Sequence, residues 1–452
     1  MFSRTDVAFF CISVGYQEGW IAVSSMLGAF KQLFGPAMFL YLNLAYYLPS
    51  IPVLVLQAQF DHRLNQRLGL PTATAIRMTF GLGCTAAIMG LLPFFMWRAY
   101  DLLVLVVLLG ITSSVVFSSS YQIVSHFPAS SNVALTTGFV GGGPLVLLVQ
   151  LLAEIGPHPS QGQAALLFEF SAFIAILGLV AGGLLISKHW HHLAAMGGGG
   201  SKEPLLPWWL RTPGQDAKSG LRAGSKFSTP PVTPPAGHSR TVSLSIDHES
   251  SYENLSIEAS EAFLEESSMG GSLLSHPHET QTSLSATWRR IWPAAVALFL
   301  SVGASMVVAP FFTYVPSSGS TGDLLPQVLF AARTLSDIAG RLLPFIPAIR
   351  SKTGLFIAGV LRAALTPGFF WYMNWGEEHG MLNDYVIILA IAVFWAASGH
   401  VNACAYVMAA QWAPPGGGDR AGGLMALSFQ VSCLVSLLLA AALQHVIFPQ
   451  PA

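Results

Sequence analysis

Arg333, Asp337 and Arg341 fall four residues apart within Phe330-Ala-Ala-Arg-Thr-Leu-Ser-Asp-Ile-Ala-Gly-Arg341. A helix stacks residues at that spacing along one face. In an apolar segment each charge costs ~2.5–3.5 kcal/mol unless it meets a partner or an aqueous cavity. A carboxylate between two guanidinium groups neutralises one and leaves the other for a solute or a neighbouring helix. A charge clamp that never touches solute is the competing role. Arg362 adds a fourth cation, for which a fixed structural partner is expected. Glu18 lies in the middle of another apolar stretch, in Gly15-Tyr-Gln-Glu-Gly-Trp20. Such a carboxyl either pairs with an arginine, joining the two halves of the chain, or is held protonated by desolvation. In the second case it can couple the protein's work to a proton gradient. Glu18, Arg333 and Arg362 are therefore candidates for gating or coupling.

These groups need unusual elements to hold them. The chain has 452 residues, 53% hydrophobic and only 10% charged, with a mean hydropathy of +0.57. Soluble domains carry about 25% charged residues, so most of this surface faces something other than water. A membrane-crossing helix needs about 20 mostly apolar residues. Such stretches run near 7–29, 36–57, 72–96, 101–124, 132–153 and 165–186, and then near 289–313, 324–347, 353–373, 384–409 and 421–447. The expected fold is an all-α integral membrane protein of about eleven spans. A six-helix bundle (1–186) and a five-helix bundle (289–452) flank a polar loop (187–288). Numbering the spans 1 to 11 puts the charge ladder in span 8 and Glu18 in span 1.

Basic residues set the orientation. With the N-terminus in the cytoplasm, Arg4, Arg63, Arg67, Lys188, Arg289, Arg290, Arg350, Lys352 and Arg420 fall inside. Only Lys31 and Arg98 fall on outer connections. This places the central loop in the cytoplasm and the C-terminus outside or in a lumen. Arg77, near the start of span 3, is read as snorkelling. The loop is rich in Gly, Pro, Ser and Glu and is expected to be disordered. Within it Arg240-Thr-Val-Ser243 has the form of a basic-directed kinase site. Ser243 is thus a candidate regulatory residue and a kinase a candidate partner, with a chance match as the alternative. Lys188-His-Trp-His-His at its start reads as an interfacial anchor. The four cysteines lie in apolar segments without paired spacing, and nothing points to a metal or a cofactor. No basic patch suits nucleic acid. No His/Asp or HExxH constellation in the spans suits an enzyme.

Asp337-Ile-Ala-Gly340-Arg341 resembles the D-x-x-G-R signature of the equilibrative nucleoside transporters. Leu361-Arg362 followed by Pro367, Ser398-Gly399-His-Val-Asn402-Ala-Cys-Ala, and Arg420-Ala-Gly422-Gly-Leu-Met425-Ala are similar, in order, to that family's spans 9, 10 and 11. Phe127-Pro-Ala-Ser leading to Thr137-Gly138 resembles its turn from span 4 into span 5. The resemblance implies a major-facilitator-like fold whose two bundles rock about a central site, moving nucleosides or nucleobases passively or with protons. It implies that Asp337 and Arg341 meet ribose hydroxyls and that Trp20 stands where the family's span-1 tryptophan stacks the base. Three positions depart from it. Trp20 is flanked by Gly19 and Ile21 rather than proline and asparagine. Thr334 replaces the span-8 asparagine, and span 4 offers only Gln122, out of register. Those positions read the base in the family, so a carrier of another polar organic solute is the alternative.

Overall fold

The computed structural model describes residues 3–156, 158–196, 284–343, 349–376, 378–414 and 417–447. Ser243 and nearly all of the expected central loop lie outside them. Among the described residues the chain is helical, without strands. This is the expected solution in lipid, where each backbone N–H and C=O must be satisfied within its own segment. The described residues form one compact unit.

Among the described residues ten helices are long and apolar enough to cross a membrane. Spans 1 to 6 are Arg4–Ser25, Met38–Asp61, Leu70–Phe95, Ala99–Val124, Ser130–Leu152 and Gln161–Lys188. Spans 7, 9, 10 and 11 are Leu284–Thr313, Lys352–Trp375, Asp384–Trp412 and Arg420–Ile447. Span 8, Leu325–Leu342, completes the six-plus-five order. Its three charges keep it below the apolarity of the others, and its most extensive packing is against span 10. Large apolar side chains such as Phe94, Leu151 and Leu389 stay exposed on the bundle's outside, the surface that hydrocarbon covers.

Local chemistry sets several helix ends. Ser3 and Asp6 form a capping box before span 1, Ser160 and Gln163 form one before span 6, and the Asn383 side chain caps span 10. Span 5 breaks at Gly142, ahead of Pro144, into Ala129–Gly141 and Gly143–Leu152. Span 9 breaks at Leu365, before Pro367, and span 7 tightens into a 3-10 turn over Ala309–Thr313.

The edges of the expected loop are ordered helix. Span 6 runs to Lys188, a short helix follows over Trp190–Met196, and span 7 starts at Leu284. Trp190 is buried in the core, and His189 Nε2 lies 3.2 Å from Thr5 Oγ1, so this end packs on the bundle rather than only marking an interface. Arg77 does not snorkel. It is buried and pairs with Asp61 at 2.8 Å, while Gln122 donates to the other Asp61 oxygen at 2.7 Å.

Candidate functional site

Alternation puts the start of span 1 and the end of span 8 on one face, called here the amino-terminal face. Between the two halves lies a narrow cavity. Span 1 contributes Gln17, Trp20, Ile21 and Ser24. Span 8 contributes Phe330, Arg333, Thr334, Asp337 and Arg341. Span 10 adds Trp395, Ser398 and Asn402, and spans 2, 5, 7 and 11 close the rest with Tyr47, Phe139, Ser305 and Phe429 among others.

The charge ladder resolves into a bound pair and a free cation. Arg341 Nε donates to Asp337 Oδ1 at 3.1 Å and its Nη2 donates to Oδ2 at 3.2 Å, a fork-on-carboxylate geometry. Its Nη1 donates across to the Thr136 carbonyl of span 5 at 2.7 Å, and its guanidinium lies 5.6 Å from the Phe139 ring centroid. Arg341 therefore ties the halves together as well as holding Asp337. Arg333 keeps part of its surface accessible. Its guanidinium lies 5.7 Å and 5.6 Å from the centroids of Phe330 and Trp395, and it makes no ion pair among the described residues.

The glycine of the span-8 signature has a packing reason. A Cβ on Gly340 would lie 1.9 Å from the Ala396 carbonyl oxygen, and one on Gly399 would lie 2.1 Å from the Asp337 carbonyl oxygen. Spans 8 and 10 thus touch backbone to backbone where Asp337 and Arg341 are held. This contact fixes the pair's position relative to Ser398 and Asn402.

Among the described residues Glu18 pairs with no arginine. It is fully buried, both carboxyl oxygens lack a hydrogen-bond partner, and a Cβ on Gly142 would sit 1.7 Å from Oε2. The carboxyl thus abuts the break in span 5, next to the cavity wall at Ile21 and Val140 but outside the lining. Arg362 has the expected fixed partners, all neutral. It donates to Ser301 O and, at 2.6 Å, to Ser305 Oγ, and it stacks over Phe394 at 4.3 Å. Ser305 Oγ lies 3.3 Å from Ser398 Oγ, to which Asn402 donates at 3.3 Å. A line of polar groups thereby runs from Arg362 to the cavity.

Trp20 lines the cavity, but one face is covered by Tyr46, stacked at 4.4 Å and 16°. Thr334 donates back to Phe330 O at 2.9 Å, so it supplies no amide-like group. Gln122 is engaged with Asp61 and lines nothing here. The amides that do line the cavity are Gln17 and Asn402, and Asn402 Oδ1 is buried with no partner. Sequence reasoning did not single out Gln17, and Asn402 entered only as part of a small-residue stretch. A neutral amide in an apolar helix gives a far weaker signal than an arginine.

The halves touch on both sides of the cavity. Toward the amino-terminal face Tyr121 stacks on Tyr406 at 4.5 Å, Asn132 donates to Tyr406 O at 3.4 Å, and Phe139 meets Phe429 edge-on at 5.2 Å. Behind that last pair lies a tight crevice that shares Phe139, Arg341, Asn402 and Phe429 with the cavity. Toward the opposite face Thr313 donates to Pro36 O at 3.3 Å, and Gln327 packs over Gly28.

No profile of a known protein family matches the sequence, and no curated relative matches it. Solved structures do match by shape. One is the major facilitator superfamily proton:xylose symporter XylE bound to 6-bromo-6-deoxy-D-glucose. Its TM-score is 0.55 at 9% identity, covering 98% of this chain and 90% of that one. Another is the human organic anion transporter MFSD10, with a TM-score of 0.50 at 15% identity, covering 98% and 94%. At such identities the likeness is one of fold. The protein is a multi-pass helical membrane protein with a major-facilitator-type fold, its two halves facing each other across a central cavity.

Proposed function

We propose that this protein carries a small polar organic solute across its membrane by alternating access, with nucleosides and nucleobases as the favoured class. The observation that carries the reading is the cavity itself. Both halves wall it, and the Asp337–Arg341 pair sits in the wall, joined to span 5 through Thr136 O. Rocking the halves about such a site exposes it to one side at a time. The resemblance of the span-8 signature to equilibrative nucleoside transporters supports the solute class. A carboxylate accepts two sugar hydroxyls, and the aromatic lining suits a flat base. Each hydrogen bond contributes ~1–3 kcal/mol, which suits release as well as capture. XylE and MFSD10 are transporters by their descriptions, and the shared fold supports the same general mode here.

Asp337→Asn is expected to abolish uptake of labelled nucleosides or nucleobases while leaving the amount of protein in the membrane unchanged. Wild-type uptake in that variant would sink the site. Glu18 favours a proton-linked version, because an unpartnered buried carboxyl abuts the movable break in span 5. Uptake that ignores pH in both wild type and Glu18→Gln would remove coupling. Regulation at Ser243 by a kinase is the further proposal for the central loop, and phosphopeptide mapping from native cells tests it.

A further inference from the structure

The lining of the cavity is not electrically balanced. It holds two arginines, Arg333 and Arg341, and one carboxylate, Asp337. That carboxylate is spent on Arg341, whose fork engages both oxygens and whose remaining nitrogen donates to Thr136 O. Arg333 is left facing the cavity with two aromatic rings and no ion pair of its own among the described residues, sharing Asp337 only at a distance. Arg362 is a second cation without an ion pair, behind the wall and bonded to neutral oxygens, one of them on Ser305 of the lining. Glu18 lies outside the lining and pairs with neither.

A guanidinium in a low-dielectric wall is costly without an anion. Two aromatic contacts return only part of what an ion pair would. The same fork binds a carboxylate through two parallel hydrogen bonds. We propose that the transported solute is a flat organic monoanion whose anionic group is the counter-ion of Arg333, its ring lying among the aromatic side chains of the same wall. The proposal rests on the reading of the chain as a carrier and narrows its solute to acidic heterocycles. A neutral nucleoside leaves Arg333 uncompensated, whereas an acidic nucleobase-like ring satisfies it. The resemblance gave no such sign, because its signature residues are the two that cancel each other.

Matched pairs of labelled probes test this in liposomes holding the purified full chain: orotate against uracil, and nicotinate against nicotinamide. Within each pair the ring is kept and only the anionic group changes. For wild type the acid is expected to enter at least about tenfold faster than its neutral partner in one pair or both. Arg333→Gln is expected to bring that ratio to about one or below, and Arg333→Lys to retain part of it. Neutral members entering as fast as the acids in both pairs would overturn the anion assignment, and so would an acid preference that Arg333→Gln leaves unchanged. Either result leaves the carrier reading standing. No movement of any probe, with uridine also excluded, would overturn both.

Discussion

Asp337 and Arg341 hold each other through two hydrogen bonds, and Arg341 alone among the ladder also reaches the other half of the protein. Removing one member of a buried pair leaves the other uncompensated, at a cost of about 3–5 kcal/mol. Asp337→Asn is therefore expected to lower the unfolding temperature in detergent as well as uptake. Adding Arg341→Gln should restore much of the stability without restoring uptake. A double variant that transports normally would mean the pair is only a clamp. Gly340→Ala is expected to be among the most damaging small substitutions in the protein, because its Cβ would enter the backbone of span 10. Its check is the yield of folded protein by size exclusion. At this scale the sequence was most informative where a residue was costly. Arg333, Asp337 and Arg341 announced themselves by spacing, and Arg362 by its place in an apolar helix. Which arginine Asp337 would neutralise was barely legible, since both lie one turn away on the same face and the helix favours the acid-before-base order by only a few tenths of a kcal/mol. The bond from Arg341 to Thr136 O adds a tertiary anchor that the spacing does not show. Likewise the spacing of Arg77 could not reveal Asp61, which belongs to a different helix.

Glu18 acquires its meaning from span 5. The break at Gly142 leaves room for the carboxyl, since any side chain there would overlap Oε2. Gly142→Ala should thus destabilise by about 1–3 kcal/mol through overpacking, and Glu18→Ala in the same chain should relieve it. Thermal melting of the two single variants and the double decides this. Simple additivity would separate the two sites. Hydropathy found each span within a few residues because the bilayer sets their length. It could not find the breaks in spans 5 and 9, which depend on Gly and Pro positions that intact membrane helices also tolerate. Span 8 shows the converse. Its charges make it the least apolar of the eleven, yet the stretch near 324–347 was still long and apolar enough to be read as a span.

Between the two halves, contacts of different kinds hold the two ends of the cavity. The amino-terminal side is held by the Tyr121–Tyr406 stack, the Phe139–Phe429 contact and the Arg341–Thr136 bond, and the other side by Thr313 and Gln327. Each is modest, at about 1 kcal/mol for an aromatic pair and ~1.5–3 kcal/mol for a charged hydrogen bond, so either end can open without unfolding. Cysteines at positions 121 and 406, in a chain lacking Cys11, Cys84, Cys404 and Cys433, should be joined by a short bis-methanethiosulfonate reagent, through disulfides that a reductant cleaves. Uptake is expected to stop on cross-linking and return on cleavage. Full activity in the cross-linked protein would contradict movement at this end. The two-halved architecture was legible from the six-plus-five count alone, and the solute was not, because two of the residues that depart from the family pattern, Ile21 and Thr334, face the cavity. The most direct test of the central claim is counterflow. Liposomes holding the purified protein are loaded with unlabelled nucleosides, nucleobases and their acidic analogues, one at a time, and the matching label is added outside. Transient accumulation of label above equilibrium for at least one solute, lost in Asp337→Asn, is the result expected of a carrier with its site between the halves. No overshoot for any of them, or an overshoot unaffected by Asp337→Asn, would contradict the account.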